Sequence, residues 1–309
     1  VLLDVASARR ETYPVPGENP RVCLGGLADD LARRDFSINA MALDLASGRL
    51  LDPHGGQADL RLRRLRWLHA TSVRDDPTRL VRGARYAARL GFELEPAGLE
   101  QARATLAAWP WDWRSGDPPG HAPAALGTRL RMELDLLLKR EPWRTALAAL
   151  QRWGGLVLLD QRLQADRRWR QRLWWAERFG LPALLALVAG ADEPLALAER
   201  LQLPHRQHRL LAQGLMLRQR LATASPVPGD AAAWCELLEE PGQSLEAVAL
   251  ALVVGGVPRS PLLRWLLRWR QLKAPVTAAG LISSGWRPGP ELGAELRRLR
   301  SQRLAQERC

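Results

Sequence analysis

Arg33-Arg34-Asp35 stands directly before an apolar turn, Phe36-Ser37-Ile38-Asn39-Ala40. Two adjacent guanidinium groups can each grip phosphate oxygens bidentately. Asp35 has no use for phosphate. Beside two cations it stays ionised and accepts from a hydroxyl, an amine or the arginines themselves. The same octapeptide also reads as an ordinary helix start with solvated arginines, and taken alone it leaves both readings open. A second constellation is Asp75-Asp76-Pro77-Thr78-Arg79-Leu80-Val81-Arg82. Helical spacing sets Asp76, Arg79, Arg82, Tyr86 and Arg89 along one stripe. An Asp and an Arg side by side can read a nucleobase edge: the carboxylate accepts from an exocyclic amine, which cytosine and adenine carry and uracil lacks. The bland alternative is a surface ion pair of little energetic worth.

The elements that must position these residues form a small α/β piece followed by a long helical part. Residues 1–5 read as a short strand and 7–20 as loop. A helix over 31–42 is expected to carry the Arg-Arg-Asp motif. The apolar runs at 43–45 and 50–52, around Ser47-Gly48, predict a β-hairpin closed by Asp52-Pro53-His54-Gly55-Gly56. Beyond Leu60 no strand signal remains. A helix is expected to start at Asp75-Asp76-Pro77, with acid at its positive end, and to stop at Gly91. Residues 115–123 read as a mobile linker, and helices follow to 305. The resulting division is 1–60, 61–140, 141–225 and 226–309.

Net charge is +12, with 45 Lys and Arg against 33 Asp and Glu. Spread along the chain, this favours a polyanionic partner such as nucleic acid. Arginine-rich usage with only two lysines, Lys139 and Lys273, equally suits a GC-rich genome. Cys23, Cys235 and Cys309 lack metal or disulfide spacing and read as reduced thiols of a cytoplasmic protein. His205 and His208 could share a helix face, but a metal needs more ligands. The tryptophans fall mostly in amphipathic helices and read mainly as core. No apolar run is long enough to span a bilayer. The start at Val1, inside a strand-like run, reads as a fragment of a longer chain.

Taken together, Asp30 to Ala40, Leu51 to Gly56 with Asp59-Leu60, Asp75 to Arg82, and Arg85 to Phe92 closely resemble, in order and spacing, the bacterial-type (class II) tRNA nucleotidyltransferase and poly(A) polymerase family. The resemblance implies an α+β fold: the C-terminal remnant of a nucleotidyltransferase head at 1–60, then an all-helical neck at 61–140, body at 141–225 and RNA-binding tail at 226–309. It implies that Arg33, Arg34, Asp35 and Asn39 hold the sugar and triphosphate of an incoming nucleotide. Asp76 and Arg79, with Arg82 nearby, would template its base. Gly127 to Leu134 resembles the neck helix and brings Arg129 and Arg131 as RNA-binding candidates. Pro275 to Leu304 resembles a C-terminal motif and brings Arg287 and Gly289; a plain helix cap explains that stretch as well.

The implied activity is transfer of CMP and/or AMP from CTP or ATP to a tRNA 3′ end, with Mg²⁺ and release of pyrophosphate. Addition of poly(A) to general RNA is one alternative, and non-catalytic RNA binding is another. One departure matters. The family's head carries an Asp-x-Asp pair for two metal ions, and no Asp-x-Asp occurs in this sequence. Leu3-Asp4-Val5 resembles the later head strand, which makes Asp4 the candidate third carboxylate, catalytic and metal-binding.

Overall fold

The computed structural model describes residues 5–223 and 229–307. Asp4 and Cys309 lie outside them. The chain divides into two compact units, Val1–Arg170 with Gly190–Pro204, and Gln171–Ala189 with His205–Cys309. The segments expected as head and neck both fall in the first unit. The expected border at 225 falls within the second.

The first unit opens with β1 (Arg9–Thr12) and β2 (Arg21–Leu24), paired antiparallel. This corrects the reading of 7–20 as loop. Polar, Pro-rich sequence hid β1, which is made of charged and polar residues, and the apolar Val22 and Leu24 of β2 are themselves exposed. Helix α1 (Leu27–Ala32) follows, opened by the Asp29 carboxylate accepting from Gly26 N–H at 2.9 Å. It stops before the Arg-Arg-Asp motif, so the helix expected over 31–42 is replaced by a turn and a short 3₁₀ segment, Ser37–Asn39. The physical reason is Phe36. It is extended (φ −129°, ψ 151°), forms a β-bridge with Trp67 and is fully buried. A helical residue could not reach that partner.

The expected hairpin is present as β3 (Ala42–Leu43) and β4 (Leu50–Leu51). Helix α2 (Gly56–Arg61) is capped by Asp52, whose oxygens accept from Gly56 N–H at 2.6 Å and Gln57 N–H at 2.9 Å. Strand β5 (Arg64–Leu65), helix α3 (Ser72–Asp75) and helix α4 (Thr78–Leu90) come next, then β6 (Glu93–Leu94), which pairs parallel with β5. Strands therefore continue past Leu60, but two residues each are too few to show a period. Helix α4 ends at Gly91 in the left-handed conformation (φ 67°), as its glycine predicts.

Helices α5 (Pro96–Ala108), α6 (Thr128–Arg140), α7 (Trp143–Arg152) and α8 (Gln161–Ala165) complete this stretch. Residues 115–123 include a 3₁₀ turn, Pro119–His121, and Trp113 Nε1 donates to the Pro118 carbonyl at 3.2 Å. Trp153 and the α6–α7 leucines form the core, with Gly83 of α4 open enough to admit Phe36, Trp67 and Trp153.

The chain leaves the first unit within α9 (Trp169–Arg178), contributes α10 (Ala183–Val188) to the second and returns for α11 (Pro194–Arg200). The second unit continues with α12 (His205–Thr223), α13 (Ala231–Leu238), α14 (Leu245–Val254), α15 (Arg259–Leu267), α16 (Ala278–Ser283) and α17 (Pro290–Ala305). Helix α14 is apolar on every side from Ala247 to Val253, where all seven residues are buried, and its one charge, Glu246, sits in the first turn. Trp234, Trp265 and Trp269 are core residues, as most of the tryptophans were expected to be. Cys235 is buried there, and burial pushes its thiol up to about 12; Cys23 is exposed. Among the described residues no helix is long and apolar enough to cross a membrane.

At Gly56 a Cβ would collide with the Ser37 carbonyl. Gly56→Ala is expected to lower stability by about 1–3 kcal/mol, read as a drop in the denaturation midpoint in urea with an unchanged slope.

Candidate nucleotide site

Phe36 is the anchor of the site. Its ring stacks on Trp67 at 4.3 Å and meets Tyr86 edge-on at 5.8 Å. In extended backbone, neighbouring side chains point to opposite faces. Burying Phe36 therefore turns Asp35 out of the core. Backbone bonds from Ser37 N–H to Arg66 and from Leu68 N–H to the Asp35 carbonyl pin the strand-like stretch on both sides.

Asp35 meets helix α4 there. Its Oδ2 accepts from Arg82 Nε at 2.5 Å and its Oδ1 from Arg82 Nη2 at 3.1 Å, while Arg79 Nε lies 2.9 Å from Oδ1. Asp76 sits beside this pair, 1 % exposed. Its Oδ1 accepts from Thr78 N–H at 3.0 Å and Thr78 Oγ1 at 2.6 Å. Its Oδ2 accepts from Arg82 Nη2 at 3.0 Å and from Arg129 of α6. A carboxylate offers about four acceptor directions, so Asp76 is saturated in this state. Burial pushes the Asp76 carboxyl up, but the Arg82 and Arg129 cations and Thr78 outweigh it and hold it below the ordinary value. Arg82, among the carboxylates of Asp35, Asp76 and, at 3.4 Å, Glu133, is held more firmly protonated than a free guanidinium although burial opposes it.

Arg33 and Arg34 are aimed from behind by Asp30. Arg33 Nη2 reaches Asp30 Oδ1 at 2.6 Å and Arg34 Nη2 reaches Asp30 Oδ2 at 2.6 Å. Arg33 Nη1 also donates to Glu11 at 3.0 Å. Asn39 turns inward as a cap: its Oδ1 accepts from Phe36 N–H at 3.1 Å.

These residues line one cavity of about 430 Å³ with Arg9, Glu11, Tyr13 and Arg129. Six arginines and three carboxylates face it, which suits a polyanion the size of a nucleotide triphosphate. Two buried nitrogens of lining arginines, Arg79 Nε and Arg129 Nη1, make no aligned hydrogen bond within the described protein.

All seven residues expected at the nucleotide thus share one cavity. Arg129 joins them, although its expected role was on the RNA. Arg131 lies on α6, 4.0 Å from Asp135. Arg287 and Gly289 are exposed in the second unit before α17, whose first turn already holds Glu291 against the helix dipole. Sequence reading missed Asp30, Glu11 and Tyr13. The i,i+3 and i,i+4 spacing of Asp30 to Arg33 and Arg34 was a usable signal. The contacts of β1 with the pocket had no local signal. Among the described residues, no group of three or more His, Cys, Asp or Glu side chains is arranged to hold a metal ion.

A second buried carboxylate fastens the site from below. Asp59 accepts from Ser37 Oγ at 2.5 Å, Arg66 Nε at 2.8 Å and Arg64 Nη2 at 2.6 Å. Burial raises its carboxyl, while Ser37 and the two arginines lower it further. Asp30 and Asp76 are depressed likewise. A depressed folded pKa gives stability that is complete above the unfolded value, near 4, and is lost as pH falls through the folded value. The melting temperature is therefore expected to fall on acidification below about pH 4. Asp59→Asn should flatten that fall and cost about 2 kcal/mol at neutral pH. Thermal melts across pH 3–7 check both outcomes.

A family model described as the poly A polymerase head domain matches residues 1–66. The chain is 40% identical over 216 residues to the CC-adding tRNA nucleotidyltransferase of Deinococcus radiodurans, covering 69% of this chain and 54% of that protein. It is 47% identical over 109 residues to the A-adding tRNA nucleotidyltransferase of Halalkalibacterium halodurans, covering 34% of this chain and 26% of that protein. The chain thus spans about half or less of the length of these relatives. In fold it matches the apo form of a CCA-adding enzyme with a TM-score of 0.65 at 22% identity, over 98% of this chain and 73% of that one. With motifs, cavity and relatives in agreement, the chain belongs to the class II tRNA nucleotidyltransferase and poly(A) polymerase family.

Proposed function

We propose that this protein selects and holds the incoming nucleotide of an RNA nucleotidyltransferase, which transfers CMP and/or AMP from CTP or ATP to a tRNA 3′ end and releases pyrophosphate. The observation that carries this reading is the convergence of Arg33, Arg34 and Asp35 with Asp76, Arg79 and Arg82 on one cavity. The relatives' names, CC-adding and A-adding, support the same class of transfer.

In this reading the exposed end of Arg34 and the Asp30-braced Arg33 grip the triphosphate. Asp35 exchanges an arginine for a sugar hydroxyl. Asp76 and Arg79 read the base. Because Asp76 is saturated, an incoming amine must displace one of its donors, and Thr78 Oγ1 is the donor whose loss leaves no charge unpaired. Such an exchange makes reading strict: a base without an amine has no donor to offer in place of the Thr78 hydroxyl, and pushing that hydroxyl aside would leave a buried Asp76 oxygen short of a hydrogen bond.

Mg²⁺ belongs to the reading through the family. The carboxylates of the cavity do not fit the role of holding it, since arginines engage them. The metal would be held by carboxylates outside the described residues, with Asp4 a candidate. The basic helices would hold the tRNA by its phosphates, with salt-sensitive affinity, and Arg131, Arg287 and Gly289 stand as candidates there. The protein would work in the cytoplasm, where its substrates are.

The test is transfer of labelled CMP, AMP and UMP to a tRNA lacking its 3′ end, by the natural full-length protein and its Asp76→Ala variant. Wild type should add CMP or AMP to a defined length and exclude UMP. The variant should admit UMP while binding tRNA as before. Unlimited AMP addition to any RNA would favour poly(A) synthesis, and unchanged exclusion of UMP by the variant would overturn the reading of the base by Asp76.

A further inference from the structure

Arg9 and Glu11 of β1 and Tyr13, the residue just after it, stand at alternate positions, and all three line the nucleotide cavity. No role for Glu11 or Tyr13 follows from the Arg-Arg-Asp or Asp-x-x-Arg motifs. Their contacts supply one. The Tyr13 ring lies against the guanidinium of Arg79, with 5.3 Å from ring centroid to Cζ. Its hydroxyl donates to Glu11 Oε2 at 3.2 Å. The other Glu11 oxygen accepts from Arg33 Nη1 at 3.0 Å and from Arg9 Nε at 2.8 Å, and the Glu11 side chain is only 8% exposed. A continuous path thus runs from Arg33 through Glu11 and Tyr13 to Arg79.

We propose that Tyr13 is a specificity-determining positioning residue: its ring fixes the plane in which Arg79 presents itself to the nucleobase, and Glu11 ties that platform to Arg33. The proposal rests on the reading of Arg79 as a base-reading group. Arg79 needs such support. Its Nε lies 2.9 Å from Asp35 but makes no aligned hydrogen bond there. An ion pair without alignment leaves the planar guanidinium free to twist, whereas a π face opposes that twist. If Asp35 turns to a sugar hydroxyl, the Tyr13 ring is the contact that remains to hold the plane. Glu11 has a separable task. Sharing its carboxylate among Arg9, Arg33 and Tyr13 places the phosphate-gripping arm, whatever base the nucleotide carries.

The two roles predict different losses. Equilibrium binding of CTP, ATP and UTP is measured for wild type, Tyr13→Leu, Tyr13→Phe and Glu11→Gln, with thermal melts to verify folding. Tyr13→Leu should lower the preference for CTP and ATP over UTP by roughly two- to thirty-fold, the range expected for a cation–π contact. Tyr13→Phe keeps the ring and should keep the preference. Glu11→Gln should weaken all three nucleotides alike and leave the preference intact. If Tyr13→Leu does not fold, Tyr13→Met, which fills the space without a π face, takes its place. A folded Tyr13→Leu or Tyr13→Met that still discriminates overturns the proposal, as does a Tyr13→Phe that loses discrimination. Wild type binding CTP, ATP and UTP equally overturns the base-reading assignment and this proposal with it.

Discussion

The first unit depends on one arginine, Arg82, shared among three carboxylates, Asp35, Asp76 and Glu133. Asp76 is 1 % exposed, and a lone ionised carboxylate in that position would cost several kcal/mol. Arg82 offsets part of that cost and at the same time clamps Asp35, which lies 47 positions away in sequence from Arg82. Removing Arg82 would take a donor from Asp35 and Asp76 together, leaving Arg79 on the first and Arg129 with Thr78 on the second. The charge network that suits a nucleotide therefore also joins the turn after α1 to helix α4. Binding geometry and local stability are one problem here, solved by the same ion pairs.

A network of this kind is only as exact as its supports. The sheets of this unit are two-stranded fragments, too small to orient anything alone. Orientation comes from buried anchors instead. Phe36 is held between Trp67 and Tyr86, and the next residue, Ser37, is held by Asp59 under two arginines. Asp30 aims Arg33 and Arg34 from the preceding helix. Each functional side chain thus has a partner that fixes its rotamer before any ligand arrives, which lowers the entropy lost on binding.

The arginine content has a second meaning in this light. Many arginines of the first unit are committed inside the protein. Arg85 and Arg89 bind Glu141, and Arg64 and Arg66 bind Asp59. Arg200 is 3 % exposed, donates to the Leu158 and Leu159 carbonyls and lies over the Trp113 ring at 4.5 Å. Burial brings its pKa down to about 10. Pairs with carboxylates leave the net charge of +12 unchanged, whereas Arg200, buried against carbonyls, is a cation withdrawn from the surface. In the nucleotide cavity geometry gathers six arginines against three carboxylates.

Residue identity and spacing alone determined a good deal: the Arg-Arg-Asp and Asp-x-x-Arg motifs, the helix from Thr78 to Gly91, the hairpin around Ser47-Gly48, and the family itself. These are local patterns, readable because a helix stripe, a cap or a turn needs only near neighbours. Tertiary structure decided what those patterns do together. The helix expected through Arg33 to Asn39 gave way to an extended Phe36, because a bridge to Trp67 outweighed local preference. Strands β1, β2, β5 and β6 went unread, since two to four residues carry no period and their partners lie up to 29 positions away. Arg129, Glu11 and Tyr13 entered the site through long-range packing of α6 and β1 against α4, which no spacing within the chain encodes. The sequence named the groups that could meet a nucleotide; only the fold showed that Asp35 and Asp76 meet the arginines first.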